Sequence, residues 1–358
     1  MKIAFINDTH AGARQESQIF NEYFFLFWEN TFFPYLKKNN ITRIFHFGDL
    51  VDRRKFINFI IANSWRKRFF DRARDEGITM DLIPGNHDVP YRNTNEINAI
   101  EELLHHYPNI NIYTKPEVVK YDGLPVLVMP WINSSNYEES IDMLKNAQAK
   151  ICFGHFEISG FEMDRGSVCD NGFNRDLFDR FDYVFSGHFH HKSTDGKIFY
   201  LGAQYEMTWA DFDDPKGFHV FNTGDLSLEL VKNPYKIFHK VWYDDTDENQ
   251  QLKYWQSQDL GYLKNCYVKV IVTNKTNPFL FDKVLELIYS VSPAEIIIVE
   301  DYGTIYEDTE EVVNEAEDTM TIVSKYIDNS LTDKSLDKER LKKLVRELHV
   351  EAINTEKI

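Results

Sequence analysis

The sequence predicts an α/β fold built on a layered sheet, and three observations carry that prediction. Densely apolar runs of strand length recur from the N-terminus, helical stretches separate them, and each run stops at a polar cluster. Lys2 to Asn7 is the first run, and the texture returns at Ile41 to Phe47, Met80 to Ile83, Val126 to Met129, Ile151 to Phe153 and Tyr183 to Phe185. Runs this continuous indicate strands buried on both faces. Gln18 to Lys38, Ile57 to Glu76 and Asn95 to Tyr107 read as the intervening helices. From Lys197 to Val231 the texture changes to short strands, with turn signals at Asp195-Gly196, Asp214-Pro215-Lys216-Gly217 and Thr223-Gly224-Asp225. A core domain over 1–235 closes there.

The segment Val241 to Gln251 holds Asp244, Asp245, Asp247 and Glu248 with no base, which predicts an exposed linker. Beyond it, Cys266 to Thr273 alternates as a strand, Pro278 opens a helix over Phe279 to Tyr289, and Glu295 to Glu300 is a β-branched strand. This βαβ-like unit is small for an independent domain and is expected to rest on the first, so 236–305 is read as linker plus a small α+β domain. The remainder, 306–358, is predicted to be a helical tail. Val313, Ala316, Met320, Val323 and Ile327 follow a three-four spacing, and Leu341, Leu344, Val345, Leu348 and Ala352 mark a second amphipathic helix after Ser335 as N-cap. Residues 301–320 contain eight acids and no base, the composition of a tether.

Composition narrows the function classes. The 358 residues are 43% hydrophobic and 15% aromatic, which excludes global disorder. No apolar run approaches the ~20 residues of a membrane span, and the opening Met1-Lys2-Ile3-Ala4-Phe5-Ile6 meets Asp8 and His10 too soon for a signal peptide. A cytoplasmic protein is expected. Cys152, Cys169 and Cys266 are far apart without CxxC spacing, so neither a disulfide framework nor a zinc-thiolate site is indicated. A net charge of −17 argues against coating nucleic acid electrostatically and leaves room for a local basic or metal-lined groove.

The chemistry lies where strands end: Asp8-Thr9-His10, Gly48-Asp49-Leu50-Val51-Asp52, Gly85-Asn86-His87-Asp88, Gly154-His155 and Gly187-His188-Phe189-His190. Functional loops of an open α/β sheet gather outside the carboxyl ends of the strands, so five such clusters would converge on one rim. Glycine lets the chain turn and approach a ligand closely, while Asp, His and Asn suit Mn²⁺, Fe²⁺, Zn²⁺ or Mg²⁺. Singly, each cluster reads as a capped loop or a turn. Their joint occurrence, each behind an apolar run, points to a dinuclear metal site.

The order D-x-H, GDxxD, GNHD, GH, GHxH resembles the calcineurin-like metallophosphoesterase superfamily, whose fold is a layered β-sandwich core flanked by helices. The Asp8-Thr9-His10-Ala11-Gly12 block, the extended insert between Asp88 and His155, and a small cap domain plus helical tail after residue 240 are similar to the SbcD family. Members of that family are nuclease subunits of double-strand-break repair and recombination complexes, and T-even phage endonucleases are the nearest in length. The resemblance implies one metal held by Asp8, His10, Asp49 and His190, and another by Asn86, His155 and His188, with Asp49 bridging. It also implies two divalent cations, Mn²⁺ first and Mg²⁺ or Fe²⁺ next. His87 would face the substrate for phosphate stabilisation or proton delivery, with Asp88 fixing its tautomer. Many cellular SbcD-like members carry histidine where this chain has Asp52. As partners the resemblance implies DNA, an SbcC-type SMC-like ATPase gripped by the tail through Leu341, Leu344, Val345 and Leu348, and a second copy in a homodimer, within a bacterial or phage-infected cell.

Other residues have plainer readings. His46 lies within a strand as a satisfied core group, His191 is exposed beside His190, His105-His106 lack partner acids, and Cys152 is a small core residue. Arg53, Arg54, Lys55, Arg66, Lys67, Arg68, Arg72 and Arg74 form either a solvated helix or a DNA-positioning or dimer face, with Arg53, Arg54 and Lys55 nearest Asp49. A metal-dependent DNA nuclease is the leading function. A small-molecule or nucleotide phosphodiesterase would use the same metals, and an interaction subunit with an idle site is the third alternative.

Overall fold

Phe5 sits at the centre of the architecture. In the computed structural model, which describes residues 1–91, 93–164, 166–247 and 251–300, its ring lies 4.9 Å from Phe47 on its own sheet. Across the interior it lies 4.9 Å from Phe153 and 5.4 Å from Phe185 on a second sheet. The first sheet runs Leu228–Lys232, Gly217–Asn222, Lys2–Ile6, Arg43–His46, Thr79–Leu82, Ile110–Ile112, with the last four strands parallel. The second runs Ser193–Thr194, Ile198–Tyr200, Tyr183–Gly187, Ile151–His155, Leu124–Met129, Glu117–Tyr121, parallel through its middle four. Ile3, Phe5 and Phe45 face the second sheet, whereas Ala4, Ile6 and Ile44 face helices. Strands covered on both sides explain the continuous apolar runs.

The outer helices match the predicted spans with three differences. Gln18–Phe27 continues to Lys38 through one widened turn, where the Phe33 amide reaches back five residues to the Trp28 carbonyl. Phe59–Trp65 continues to Asp75 through a second such turn, at Arg66–Phe70, so two helices bearing bulky aromatics meet at Trp28, Trp65 and Phe69. Of the helix expected from Asn95, only Ala99–Leu104 forms. Asn98 caps it, and Asn95 instead donates to the Trp131 carbonyl.

The expected linker is the larger correction. Phe238–Asp244 is a strand paired in parallel with Tyr267–Asn274, which pairs in parallel with Glu295–Glu300, and helix Pro278–Ser290 crosses between the last two. Asp245 is buried because it accepts from the Thr276 and Asn277 amides at the start of that helix. The small sheet rests on the core, with Phe238 4.7 Å from Trp209, Tyr267 5.3 Å from Phe20, and Glu206 accepting from the Ile237 and Phe238 amides. The described residues form one compact unit. The tail expectations, including Leu341, Leu344, Val345 and Leu348, lie outside the described residues. Among the described residues no helix is long and apolar enough to cross a membrane.

Candidate metal centre

Five strand ends meet at one rim of the sandwich. Lys2–Ile6, Arg43–His46 and Thr79–Leu82 deliver Asp8 and His10, Asp49, and Asn86; Ile151–His155 and Tyr183–Gly187 deliver His155, His188 and His190. The backbone is forced into this meeting. Asp8, His10, Asp49 and His188 all have positive φ (44°, 40°, 55° and 87°), a conformation that costs L-residues energy and that clusters at functional sites. Glycine is required beside them, because a Cβ on Gly48 would stand 2.7 Å from the Gly85 nitrogen and 2.8 Å from His155 Nδ1. The loops are laced by backbone bonds, from the Asp8 amide to the Gly48 carbonyl (2.9 Å) and from the His10 amide to the Asp49 carbonyl (3.1 Å).

Two groups of atoms that could hold a metal ion result. In the first, His10 Nε2 faces His190 Nε2 at 3.1 Å, and Asp8 Oδ1 lies 4.0 Å from His190 Nε2. In the second, Asn86 Oδ1 lies 3.0 Å from His155 Nε2 and 2.9 Å from His188 Nδ1. Asp49 Oδ2 stands between them, 3.4 Å from His155 Nε2 and 3.9 Å from His10 Nε2. His155 Nδ1 donates to the Phe47 carbonyl at 2.7 Å, so its Nε2 presents a lone pair toward another acceptor, Asn86 Oδ1. Facing acceptors need a proton or a cation between them. Oxygen and imidazole donors with no thiolate fit divalent Mn²⁺, Fe²⁺, Zn²⁺ or Mg²⁺.

Electrostatics agree with that fit. Burial alone would depress the His10 and His155 imidazoles. The Asp52 carboxylate 3.5 Å from Nδ1, with the charges of Asp49 and Asp8, instead raises His10 to about 10, and Asp49 with Asp8 raises His155 to about 9. In the absence of a cation these two hold protons where a cation would go. Burial also pushes the Asp8 carboxyl up to about 6, whereas His155, His87 and His10 overcome burial at Asp49 and keep it well below the usual carboxylate range. His188 and His190 are lowered by burial, the latter to about 3, and so offer neutral nitrogens.

His87 belongs to neither group. Its amide donates to Asp49 Oδ1 at 2.8 Å, and its Nδ1 lies 2.6 Å from the Asp52 carbonyl oxygen, leaving Nε2 as its free nitrogen. Burial lowers its pKa, and the Arg54 charge is near enough to add to that. Asp88 does not orient His87. It is a buried staple, accepting from the Leu50, Val51 and Gly85 amides, and so it joins the GDxxD and GNHD loops.

Arg53, Arg54 and Lys55 follow the Asp49 loop; Arg53 is 3.8 Å from Glu16, and Lys55 lies over Tyr91. Three of the helix cations are spent locally: Arg68 on Glu22 and Glu29, Arg72 on Glu76, Arg74 on Asp71 and Asp75. His191 is not a bystander, since it lies between Asp214 (3.2 Å) and Glu162 (3.4 Å). His46 is a satisfied buried group: Thr9 Oγ1 donates to the Leu50 carbonyl and can accept from His46 Nε2, while His46 Nδ1 accepts from the Gly48 amide. Sequence reasoning missed Asn7, whose amide holds Asp8 and reaches the Gly202 carbonyl, and Trp131, whose ring lies 5.8 Å from His155 and 5.4 Å from His188.

The family described as calcineurin-like phosphoesterase matches residues 1–192. "Exonuclease subunit 1" of Enterobacteria phage T4 is 32% identical over 320 residues, which is 89% of this chain and 90% of that protein. Two solved structures are distant: an archaeal phosphodiesterase (12% identity, TM-score 0.32, 65% of this chain and 100% of that one) and the glutamine-dependent NAD+ synthetase of Acinetobacter baumannii (10%, TM-score 0.27, 99% and 72%). At those TM-scores neither bears on the fold.

Proposed function

The chain belongs to the calcineurin-like phosphoesterase family as a homologue of exonuclease subunit 1, and from that premise we propose that it is a two-metal DNA nuclease, cutting duplex ends and internal phosphodiesters as the SbcD-like subunit of a repair and recombination complex. The observation that carries the chemistry is Asp49, one buried carboxylate whose Oδ2 lies 3.4 Å from His155 Nε2 in one group and 3.9 Å from His10 Nε2 in the other. Asp8, His10, Asp49 and His190 would hold one cation and Asn86, His155 and His188 the other, with Mn²⁺ the expected ion in both. Such a pair supplies Lewis acidity to a phosphodiester and acidifies water for attack on phosphorus. The protein's own part is positional. Asp88 fixes the loops that carry Asp49 and Asn86, and the Asp52 carbonyl fixes His87 so that Nε2 is available to phosphate or leaving oxygen. Arg54, with Arg53 and Lys55, would hold the DNA backbone.

The finer organisation follows from the same reading: a nuclease domain at 1–235, a cap at 236–305 that includes the strand Phe238–Asp244, and a tail at 306–358 that grips an SbcC-type ATPase in the cytoplasm of a bacterial or phage-infected cell. The deciding experiment is metal-supplemented digestion of end-labelled duplex and single-stranded DNA beside a generic phosphodiester. It is run with and without that ATPase, and with residues 311–358 removed. Cleavage of the generic ester but not of DNA would favour the small-molecule phosphodiesterase, and co-purification of the truncated chain with the ATPase would remove the tail from the partner role.

The homodimer has its own support. Phe56, Phe59 and Ile60 are 70%, 90% and 63% exposed, beside an apolar cavity lined by Leu50, Val51, Ile57 and Trp65. A second copy covering this face would take its exposed rings out of water. Phe59→Asp is expected to halve the mass measured by light scattering while leaving metal content unchanged; an unchanged mass would remove this face from the dimer.

A pH dependence follows from the protons on His10 and His155. Because the cation-free site holds them up to about 10 and about 9, metal uptake at pH 7 must release protons, and affinity should rise with pH toward that range. Titration calorimetry of Mn²⁺ in buffers of different ionisation enthalpy counts the protons; a heat independent of buffer would contradict it.

A further inference from the structure

Behind His190 lies a charged cluster that none of the chemistry above uses. Lys216 is only 6% exposed, and all three of its ammonium protons have partners: Asp211 Oδ1 at 2.5 Å, Asp214 Oδ2 at 2.9 Å and the His190 carbonyl at 2.7 Å. The same carbonyl accepts from the Ala203 amide at 3.0 Å. The two acids are themselves anchored. Asp211 Oδ2 accepts from the Met207 and Thr208 amides, and Asp214 Oδ1 lies 3.2 Å from His191 Nδ1. Burying an ammonium is costly unless it is paired and fully hydrogen-bonded, so a lysine spent entirely inside the protein is retained for what it holds. What it holds besides carboxylates is the backbone of one ligand atom set. His190 reaches the rim from a loop whose neighbour, Gly202, has φ of 71° and would bring a Cβ to 3.1 Å from that same carbonyl.

We propose that Lys216 is the positioning residue of the Asp8–His10–His190 group: by clamping the His190 carbonyl it keeps Nε2 opposite His10, and it sets the affinity of that group without touching the other. The second group has no such clamp from Lys216; its histidines are steadied by the Phe47 carbonyl and Asn86. Arginine cannot substitute, because a planar guanidinium does not match three acceptors arranged around one ammonium.

The inference rests on the two-cation reading, and the test separates the two. Metal-free full-length protein is titrated with Mn²⁺ alone, and the free ion is followed by electron paramagnetic resonance. Wild type is expected to bind two ions; if it does not, the two-cation reading fails and this inference with it. In Lys216→Met one dissociation constant should rise ~10–100-fold, the usual effect of losing a group that orients a metal ligand, and the other should stay as in wild type. Should that variant not fold, Lys216→Met with Asp214→Asn decides. It removes one charge of each sign and leaves Asp211 on its two backbone amides. Adding Asn86→Ala should then abolish the remaining ion, whereas adding His10→Ala should spare it. Two ions at native affinity in both Lys216 variants, equal weakening of both ions, or loss of the remaining ion with His10→Ala would each overturn the assignment to this group.

Discussion

Asp49→Ala is expected to abolish both metal uptake and hydrolysis in one step. Asp49 is 2% exposed; one oxygen accepts from the His87 amide, and the other lies between His155 Nε2 and His10 Nε2. Removing it takes the shared anion from both ligand sets at once, so the two ions should be lost together. With an ion at a hundredfold excess over its dissociation constant, each wild-type site gains about 2.7 kcal/mol of stability from binding. The variant should therefore show no Mn²⁺-dependent rise in melting temperature, while Asp195→Ala, whose carboxylate accepts from the Lys197 and Ile198 amides of a surface turn and lies 3.6 Å from Arg175, away from both ligand sets, should keep the full rise and full activity. Asp49→Asn retains the acceptor for the His87 amide and loses only the charge, so it separates folding from metal binding. Full metal loading and undiminished cleavage in Asp49→Ala would contradict the dinuclear centre.

The parts of this molecule that could be read from its sequence are those in which neighbours along the chain are also partners in space. Glu295–Glu300 and Lys2–Ile6 were legible because each is an unbroken apolar or β-branched run, and the ligand blocks were legible because each follows its strand directly. Acid density misled at Asp244 and Asp245. Such residues cap strand and helix ends as readily as they face solvent, and here Asp244 accepts from Asn274 and Asp245 from Thr276, some thirty residues on. Asp88 was assigned to its neighbour His87, yet its partners are the Leu50 and Val51 amides, thirty-eight and thirty-seven residues back. Lys216 looked like part of a turn, because nothing in a local pattern distinguishes a lysine in solvent from one whose three acceptors come from two loops. The two facing sheets are those of the sandwich that the family resemblance implies, but which parallel strand joins which sheet was hidden, since strands buried on both faces carry no alternation to say so.

His87→Gln is the substitution that should separate cleavage from metal binding. The His87 side chain is absent from both ligand sets, and its backbone amide, which holds Asp49, survives any substitution that keeps the loop. Glutamine can still donate to the Asp52 carbonyl, so the side chain can stay in place. What it lacks is a second basic nitrogen. In the substrate-free protein, burial keeps the imidazole neutral with Nδ1 on the Asp52 carbonyl, so Nε2 carries the lone pair. An anionic phosphodiester beside it would raise its affinity for a proton, which it could then deliver to the leaving oxygen or hold against the phosphate. The variant should bind two Mn²⁺ ions and DNA as wild type does while kcat falls by ~10²-fold or more, about 2.7 kcal/mol of transition-state stabilisation. Asp52→Ala supplies the contrast. The carbonyl that orients His87 belongs to the main chain and remains, whereas the carboxylate 3.5 Å from His10 Nδ1 is lost, so its effect should fall on metal affinity instead of kcat. Undiminished cleavage by His87→Gln, or lost metal in that variant, would leave His87 with a structural role only.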